Sequence, residues 1–211
     1  MNPISLMLDL RGWIDTRRSA VATMTQLARL DFVPKTLIDA GANNSQWMRR
    51  LAARYPKAKV LSFEPQNNCR PIGIVRGVAL SDCEGTSRMH GTGTSAFLDC
   101  GIGSPGIFGA AGVTVHKLDR YAGEVNRPAL LKVDCEDHTF NALNGGPQVL
   151  EKCLVVVVEI WEGLDWPCAD RNRHAEIHSL LWMAGFNRAM TVGAMPWRNH
   201  VSQTDVLFWK E

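Results

Sequence analysis

Two carboxylates, Asp39 and Glu64, lie 25 positions apart, and each closes a short apolar run. A single glycine, Gly41, follows the first. In an open parallel sheet, ligands bind beyond the carboxyl ends of the strands, where a glycine turn lets backbone approach closely. An acid roughly 20 positions past such a turn can accept the hydroxyl protons of a ribose. The spacing therefore points to a nucleoside-containing cofactor. The plainer alternative is a strand–helix–strand unit with a turn glycine and two solvated acids, and Pro65 directly after Glu64 weighs against it.

The turn itself narrows the class. A pyrophosphate needs G-x-G-x-x-G at the helix start, whereas this chain reads Gly41-Ala42-Asn43-Asn44-Ser45 with Asp39 in front. A carboxylate there repels phosphate and suits a cationic amino-acid moiety. S-adenosylmethionine, with a sulfonium and an ammonium and no phosphate, fits better than NAD.

The elements that must position these groups alternate. Thr36 to Asp39 and Lys59 to Phe63 read as buried strands around a helix whose Trp47, Leu51 and Tyr55 share one face. Asn43, Asn44 or Ser45 is available to cap that helix. Ile74 to Leu80 reads as a third strand, and Val113 to Leu118 as an extra strand or hairpin arm. Ala129 to Val133, broken only by Lys132, and Val155 to Val158 read as strands buried on both faces. Helical patterns cover His138 to Lys152, interrupted at Gly145-Gly146-Pro147, and Arg173 to Ala184. Ala189 to Val192 and Asp205 to Trp209 read as an antiparallel closing pair. The expected fold is α/β: a doubly wound, mostly parallel, seven-stranded Rossmann-like sheet with an antiparallel C-terminal strand.

Residues 1–211 are expected to form one domain, with residues 1–33 a helical N-terminal segment and 34–211 the core. In that segment Val21, Met24, Leu27, Ala28 and Phe32 make the apolar face, Ser19 is a candidate cap, and Pro34 ends the helix. Gly91 to Gly112 contains seven glycines; it reads either as a lid or specificity loop, or as a connection back to Val113. Trp161 to Asn172 is the other candidate substrate wall.

Composition is that of an ordinary globular chain, 45% apolar and 21% charged over 211 residues, with formal charge +2. The basic residues are scattered, which excludes a nucleic-acid footprint. No apolar run approaches the ~20 residues of a membrane span. No basic region followed by an apolar core opens the chain, so a secretory leader is not expected. Six cysteines without a CxxC pair, two of them (Cys135 and Cys153) at ends of core strands, suit a reduced, cytoplasmic protein.

Four blocks carry a family resemblance: LIDAGANNSQW, KVLSFEP, VALSDCEG from Val78 to Gly85, and LDRYAG with LLKVDCEDHTFNALNGG from Leu118 to Gly146. VVVVEI, Val155 to Ile160, looks like a fifth central strand. In order and spacing, the chain resembles the FkbM family of S-adenosylmethionine-dependent methyltransferases from about Phe32 onward. The resemblance implies a class I methyltransferase fold and O-methylation of a sugar, glycan or natural-product small molecule. It also implies cofactor contacts at Asp39, Gly41, Ala42, Asn43, Glu64, Pro65, Leu80 and Asp134. The chain departs from the family at Ser45, Asp137 and Thr139, where a glycine, a glycine and an acid are usual.

Transfer to a hydroxyl requires in-line positioning and a proton acceptor. The candidates are Asp134, Glu136 and His138 at the end of the fourth strand. Asp134 is expected to orient donor or acceptor, with Glu136 or His138 receiving the proton. Alternatively, Glu136 and Asp137 only favour a helix start. Asp134 and Glu136 could join Glu159 around Mg²⁺, although the sequence gives a divalent metal little support. His174 and His178, one helical turn apart, lack the H-E-x-x-H glutamate and read as a surface pair. No Ser-His-Asp or Cys-His order is recognisable. Two rival functions remain: a non-catalytic S-adenosylmethionine-binding domain, suggested by Asp137 and Thr139, and an NAD-dependent oxidoreductase.

Overall fold

The computed structural model describes residues 18–90, 97–98, 111–161, 173–197 and 200–211. Residues 1–17, most of the Gly91 to Gly112 loop, and the Trp161 to Asn172 wall beyond Trp161 lie outside the described residues.

A helix, α1, covers residues 18–29. The strands are β1 (Thr36–Ala40), β2 (Lys59–Phe63), β3 (Ile74–Arg76), β4 (Ala79–Ser81), β5 (Gly85–His90), β6 (Phe97–Leu98), β7 (Ala111–Lys117), β8 (Ala129–Val133), β9 (Cys153–Trp161), β10 (Arg188–Trp197) and β11 (His200–Trp209). The remaining helices are α2 (Gln46–Arg54), α3 (Thr139–Asn144), α4 (Pro147–Lys152) and α5 (His174–Met183), with 3-10 turns at Leu118–Glu124 and Glu136–His138.

Seven strands form the main sheet in the order β10-β11-β9-β8-β1-β2-β3. From β9 to β3 all pairs are parallel, while β11 runs antiparallel to both β9 and β10. Every residue of β1 and β8 is buried, as the continuous apolar runs require. One face packs Ile38, Leu131, Val133, Val156 and Val158 against α3, α4 and α5. The other packs Leu37, Leu130, Val155 and Val157 against α1 and α2 through Leu27, Trp47 and Leu51.

Two expectations are corrected. Ile74 to Leu80 is not one strand. The chain kinks at Gly77, where Val78 N–H donates to Arg76 O at 2.9 Å, and β4 leaves for a second sheet ordered β4-β7-β5-β6. The extra strand expected at Val113 to Leu118 is β7 of that small sheet. In α1 the buried residues include Ser19, Ala20, Thr23 and Leu27, whereas Val21 is 50% exposed. Ser19 is no cap: its buried Oγ accepts a hydrogen bond from Trp47 Nε1 at 3.2 Å, which fixes the helix phase.

Candidate functional site

β1 ends in Asp39-Ala40, and Gly41 turns the chain with φ +74°. A Cβ there would lie 1.8 Å from the Asp134 carbonyl oxygen, so only glycine lets the ends of β1 and β8 adjoin. Gly41 N–H and Ala42 N–H both donate to Phe63 O at 3.0 Å. Asn43 N–H donates to Glu64 Oε2 at 2.7 Å, and Gln66 N–H to Glu64 Oε1 at 2.9 Å. The three successive amides of the turn are thus spent on β2 and its terminal acid.

That pattern tests the cofactor class. A pyrophosphate would need those amides, and none points outward. Glu64, 5% exposed, keeps a second lone pair on each oxygen, suited to a ribose diol. Burial pushes its carboxyl above the ordinary range against the two backbone hydrogen bonds. Pro65 follows at the rim, half-buried, while Leu80 is buried in the core beside Phe63 and Tyr121. The residues fit a nucleoside without a pyrophosphate.

Asp39 is 4% exposed, and its Oδ2 accepts a hydrogen bond from Ser45 Oγ at 2.8 Å. Burial pushes its pKa up to about 7, against that bond and the attraction of Lys132. Ser45 therefore serves Asp39 rather than capping α2. It sits in the left-handed region that glycine favours, with φ 51°.

Lys132 shares a register position with Asp39 on the neighbouring strand. It is 3% exposed, and its Nζ lies 2.9 Å from Asp134 Oδ2 and 3.8 Å from Asp205 Oδ1. Burial opposes its charge, but Asp134, Asp205 and Glu159 more than restore it. The Asp134 side chain is one-third exposed (34%). Burial disfavours its ionised form, yet Lys132 and a hydrogen bond from Glu159 hold its pKa below the ordinary value. Burial and the neighbouring Asp134 push Glu159 well up. Of the two carboxyls, Glu159 is therefore the one that more readily keeps a proton beside Asp134.

Asp134, Glu136 and Glu159 bring oxygens within 4.8 Å of one another, the gathering considered from the sequence for Mg²⁺. The Lys132 ammonium, 2.9 Å from Asp134 Oδ2, already meets part of that charge. Glu136 has φ 53° and is held by Thr139, 4% exposed, whose Oγ1 donates to Glu136 O at 3.1 Å and accepts Cys135 N–H at 3.3 Å. Thr139 thus closes the turn. His138 is directed elsewhere: its Nε2 lies 2.9 Å from Ser81 Oγ, at the end of β4. The three candidates therefore divide: Asp134 pairs with Lys132, Glu136 lies beside Asp134 and Glu159, and His138 meets the small sheet at Ser81.

The arrangement agrees with sequence comparison. The Methyltransferase FkbM domain profile matches residues 39–188. The chain belongs to the FkbM methyltransferase family. No curated protein matches it. By fold it is similar to methyltransferase FkbM from Methylobacillus flagellatus KT, at 13% identity and TM-score 0.53, over 83% of this chain and 44% of that one. It is also similar to magnesium protoporphyrin IX methyltransferase from Synechocystis PCC 6803, solved with bound SAM, at 9% identity and TM-score 0.54, over 100% and 85% of the two chains. This FkbM-family chain thus spans less than half the length of the first relative. Its sheet order and single antiparallel strand are those of class I methyltransferases. Among the described residues, no helix is long and apolar enough to cross a membrane.

Sequence reasoning named Ser45 as a cap and missed its bond to Asp39, and it missed the contacts of Ser81 and Asp82 and the role of Lys132. Lys132 had a visible signal, a lysine inside an otherwise apolar strand two residues before Asp134. His174 and His178 are half-buried rather than a plain surface pair, with Nε2 atoms 2.9 Å apart and the His178 ring 4.7 Å from Phe208. Cys153 is a buried free thiol, pushed up to about 12 by burial.

Proposed function

We propose that this FkbM-family chain is an S-adenosylmethionine-dependent O-methyltransferase acting, in a reducing compartment, on a sugar or other hydroxyl-bearing small molecule. The observation that carries the cofactor assignment is the turn at Gly41, Ala42 and Asn43, whose amides are consumed internally beside the buried Glu64 carboxylate. Support for a hydroxyl acceptor comes from the family resemblance and from the polar side chains around β4 and α3: Ser81, Asp82, His138 and Asn144.

When bound, S-adenosylmethionine would supply an electrophilic methyl group for the acceptor oxygen's electron pair, its sulfur keeping the C–S pair as S-adenosylhomocysteine. The chain's own residues do the rest. Glu64 accepts the ribose hydroxyl protons. Ionised Asp134, paired to Lys132, orients the reacting groups at the strand end. Glu136 or His138 takes the hydroxyl proton as the oxygen becomes nucleophilic, a role typically worth roughly 10²–10⁴-fold in rate.

A thermal-shift panel with S-adenosylhomocysteine, S-adenosylmethionine and NAD tests the cofactor. Ligand at about 100 times its Kd stabilises by about 2.7 kcal/mol. Glu64→Ala should weaken S-adenosylhomocysteine by roughly 1.5–3 kcal/mol in calorimetric titration, the range for hydrogen bonds to a charged group. Stabilisation by NAD alone, or unchanged affinity in a folded Glu64→Ala protein, overturns the reading.

A further inference from the structure

Parallel strands such as β2 and β3 usually need a crossover of about a dozen residues or more, most often a helix. Here residues 64–73 make the connection with no helix among them, so their backbone groups must find partners elsewhere. Those partners are side chains of the turn after β1, of α2 and of β2. Arg70 N–H donates to Asn44 Oδ1 at 2.9 Å, and Ile72 N–H to Ser45 Oγ at 3.3 Å. Arg70 O accepts from Arg49 Nη2 at 2.9 Å, and Ile72 O from Ser62 Oγ at 2.7 Å. Burial and the Glu64 carboxylate push the Cys69 thiol up, and it donates to Asn43 Oδ1 at 3.4 Å. Asn43, Asn44 and Ser45 thus meet Cys69, Arg70 and Ile72 in the same order along the chain.

We propose that Asn43, Asn44 and Ser45 clasp residues 65–73 against the turn, and so hold Glu64 and Asp39 in place for the nucleoside and amino-acid ends of S-adenosylmethionine. The three are positioning residues that act through the two acids. This inference rests on the cofactor reading above and names what sets the geometry of its site.

The clasp reaches both acids. Asn43 N–H holds Glu64 Oε2 while its side chain meets Cys69, and Gln66 N–H, early in the segment, holds Glu64 Oε1. Ser45 Oγ gives its one proton to Asp39 Oδ2 and accepts Ile72 N–H on a lone pair. A single hydroxyl therefore joins the acid of β1 to the far end of the segment. Gly73 fixes that end: its φ is +78°, and a Cβ there would lie 2.5 Å from the Val60 carbonyl oxygen. The segment is pinned at Glu64 and at Gly73, and the clasp governs what lies between. A plain packing role predicts only lost stability on substitution. The clasp predicts that different side chains cost different parts of the cofactor.

Amide hydrogen exchange tests the clasp without any ligand. Asn44→Ala should speed exchange at Arg70, and Ser45→Ala at Ile72, by roughly 10-fold each, the upper range for losing one hydrogen bond. Calorimetric titration with adenosine and with S-adenosylhomocysteine then reads the effect on binding. Asn44→Ala should weaken both ligands by the same factor, about 3- to 10-fold, because the binding-competent fraction falls before either is seated. Asn44→Asp keeps an oxygen for Arg70 N–H and should restore wild-type affinity. Ser45→Ala also releases Asp39, so S-adenosylhomocysteine should weaken more than adenosine. If Ser45→Ala fails to fold, the exposed Asn44 decides alone. Unchanged Arg70 exchange in Asn44→Ala overturns the clasp and leaves the cofactor reading standing. So does an Asn44→Ala protein that binds both ligands as tightly as a wild type that does bind them. A wild type that binds neither ligand overturns the cofactor reading, and this inference with it.

Discussion

Replacing Lys132 by Met probes the charge cluster most directly. The side chains are similar in length, so the change removes an ammonium and little volume. That ammonium sits 2.9 Å from Asp134 Oδ2 and 3.8 Å from Asp205 Oδ1. At an effective dielectric of about 20, those separations correspond to ~6 and ~4 kcal/mol of attraction. Against this stands the desolvation of a nearly fully buried ammonium, which methionine no longer suffers. Breaking a buried pair by removing one partner typically leaves a net loss of about 3–5 kcal/mol. For a domain of this size, about 2–4 °C of Tm accompanies each kcal/mol, so Lys132→Met should melt roughly 6–20 °C lower near pH 7.5. Lys132 holds the Asp134 pKa low, so in the variant this carboxyl should protonate more readily. The deficit should then shrink as pH falls toward 5. Adding Asp205→Asn should recover part of the loss, since it removes one abandoned carboxylate. Scanning calorimetry at both pH values is the assay. A Lys132→Met protein melting within about 2 °C of wild type at pH 7.5 would refute the view that this lysine neutralises the strand ends.

Asp39→Asn should change how stability depends on pH. With a folded pKa of about 7, the wild type keeps its full Asp39 contribution below about pH 4 and loses it as pH rises through 7. The cost is up to about 4 kcal/mol above pH 7. The Asn variant should lack this decline and be the more stable protein at pH 8; equal pH slopes in urea titrations would count against the buried-acid assignment. Gly41→Ala should be severely destabilised, because a left-handed φ and a 1.8 Å clash with the Asp134 carbonyl act together. A Gly41→Ala protein with wild-type Tm and S-adenosylhomocysteine affinity would show that the β1 and β8 ends are not so tightly joined.

What could be read in advance follows from how local each signal is. β1, α2 and β2 were legible because burial on both faces writes an uninterrupted apolar run, and Trp47 and Leu51 repeat at helical spacing. Ile74 to Leu80 was misread for the same reason. The run stays apolar across Gly77 while the chain changes sheets, and the partners that decide this, β2 for β3 and β7 for β4, lie elsewhere in the chain. In α1, counting apolar residues selected Val21. The true phase buries Ser19 and Thr23 instead, because Trp47 on α2 reaches Ser19. The site shows the same division. The positions of Asp39 and Glu64 at the ends of β1 and β2 were legible, whereas Ser81 meets His138 only through the second sheet, 57 positions away.

The charge balance at the strand ends bears on the proposed donor as well as on stability. Asp39, Asp134, Glu159 and Asp205 surround a single ammonium, Lys132. Glu159 is pushed well above the ordinary carboxyl range and Asp39 up to about 7, so the cluster is less negative than four acids suggest. That charge reaches solvent at Asp134, one-third exposed (34%), beside a turn whose Gly41, Ala42 and Asn43 amides are engaged internally. A cationic sulfonium is favoured there. Once the methyl has left, sulfur is neutral and that part of the attraction disappears, while the ribose contacts at Glu64 do not change. The same side chains that stabilise the sheet's carboxyl end would therefore hold the charged donor more firmly than its product, and Lys132 sets how large that difference can be.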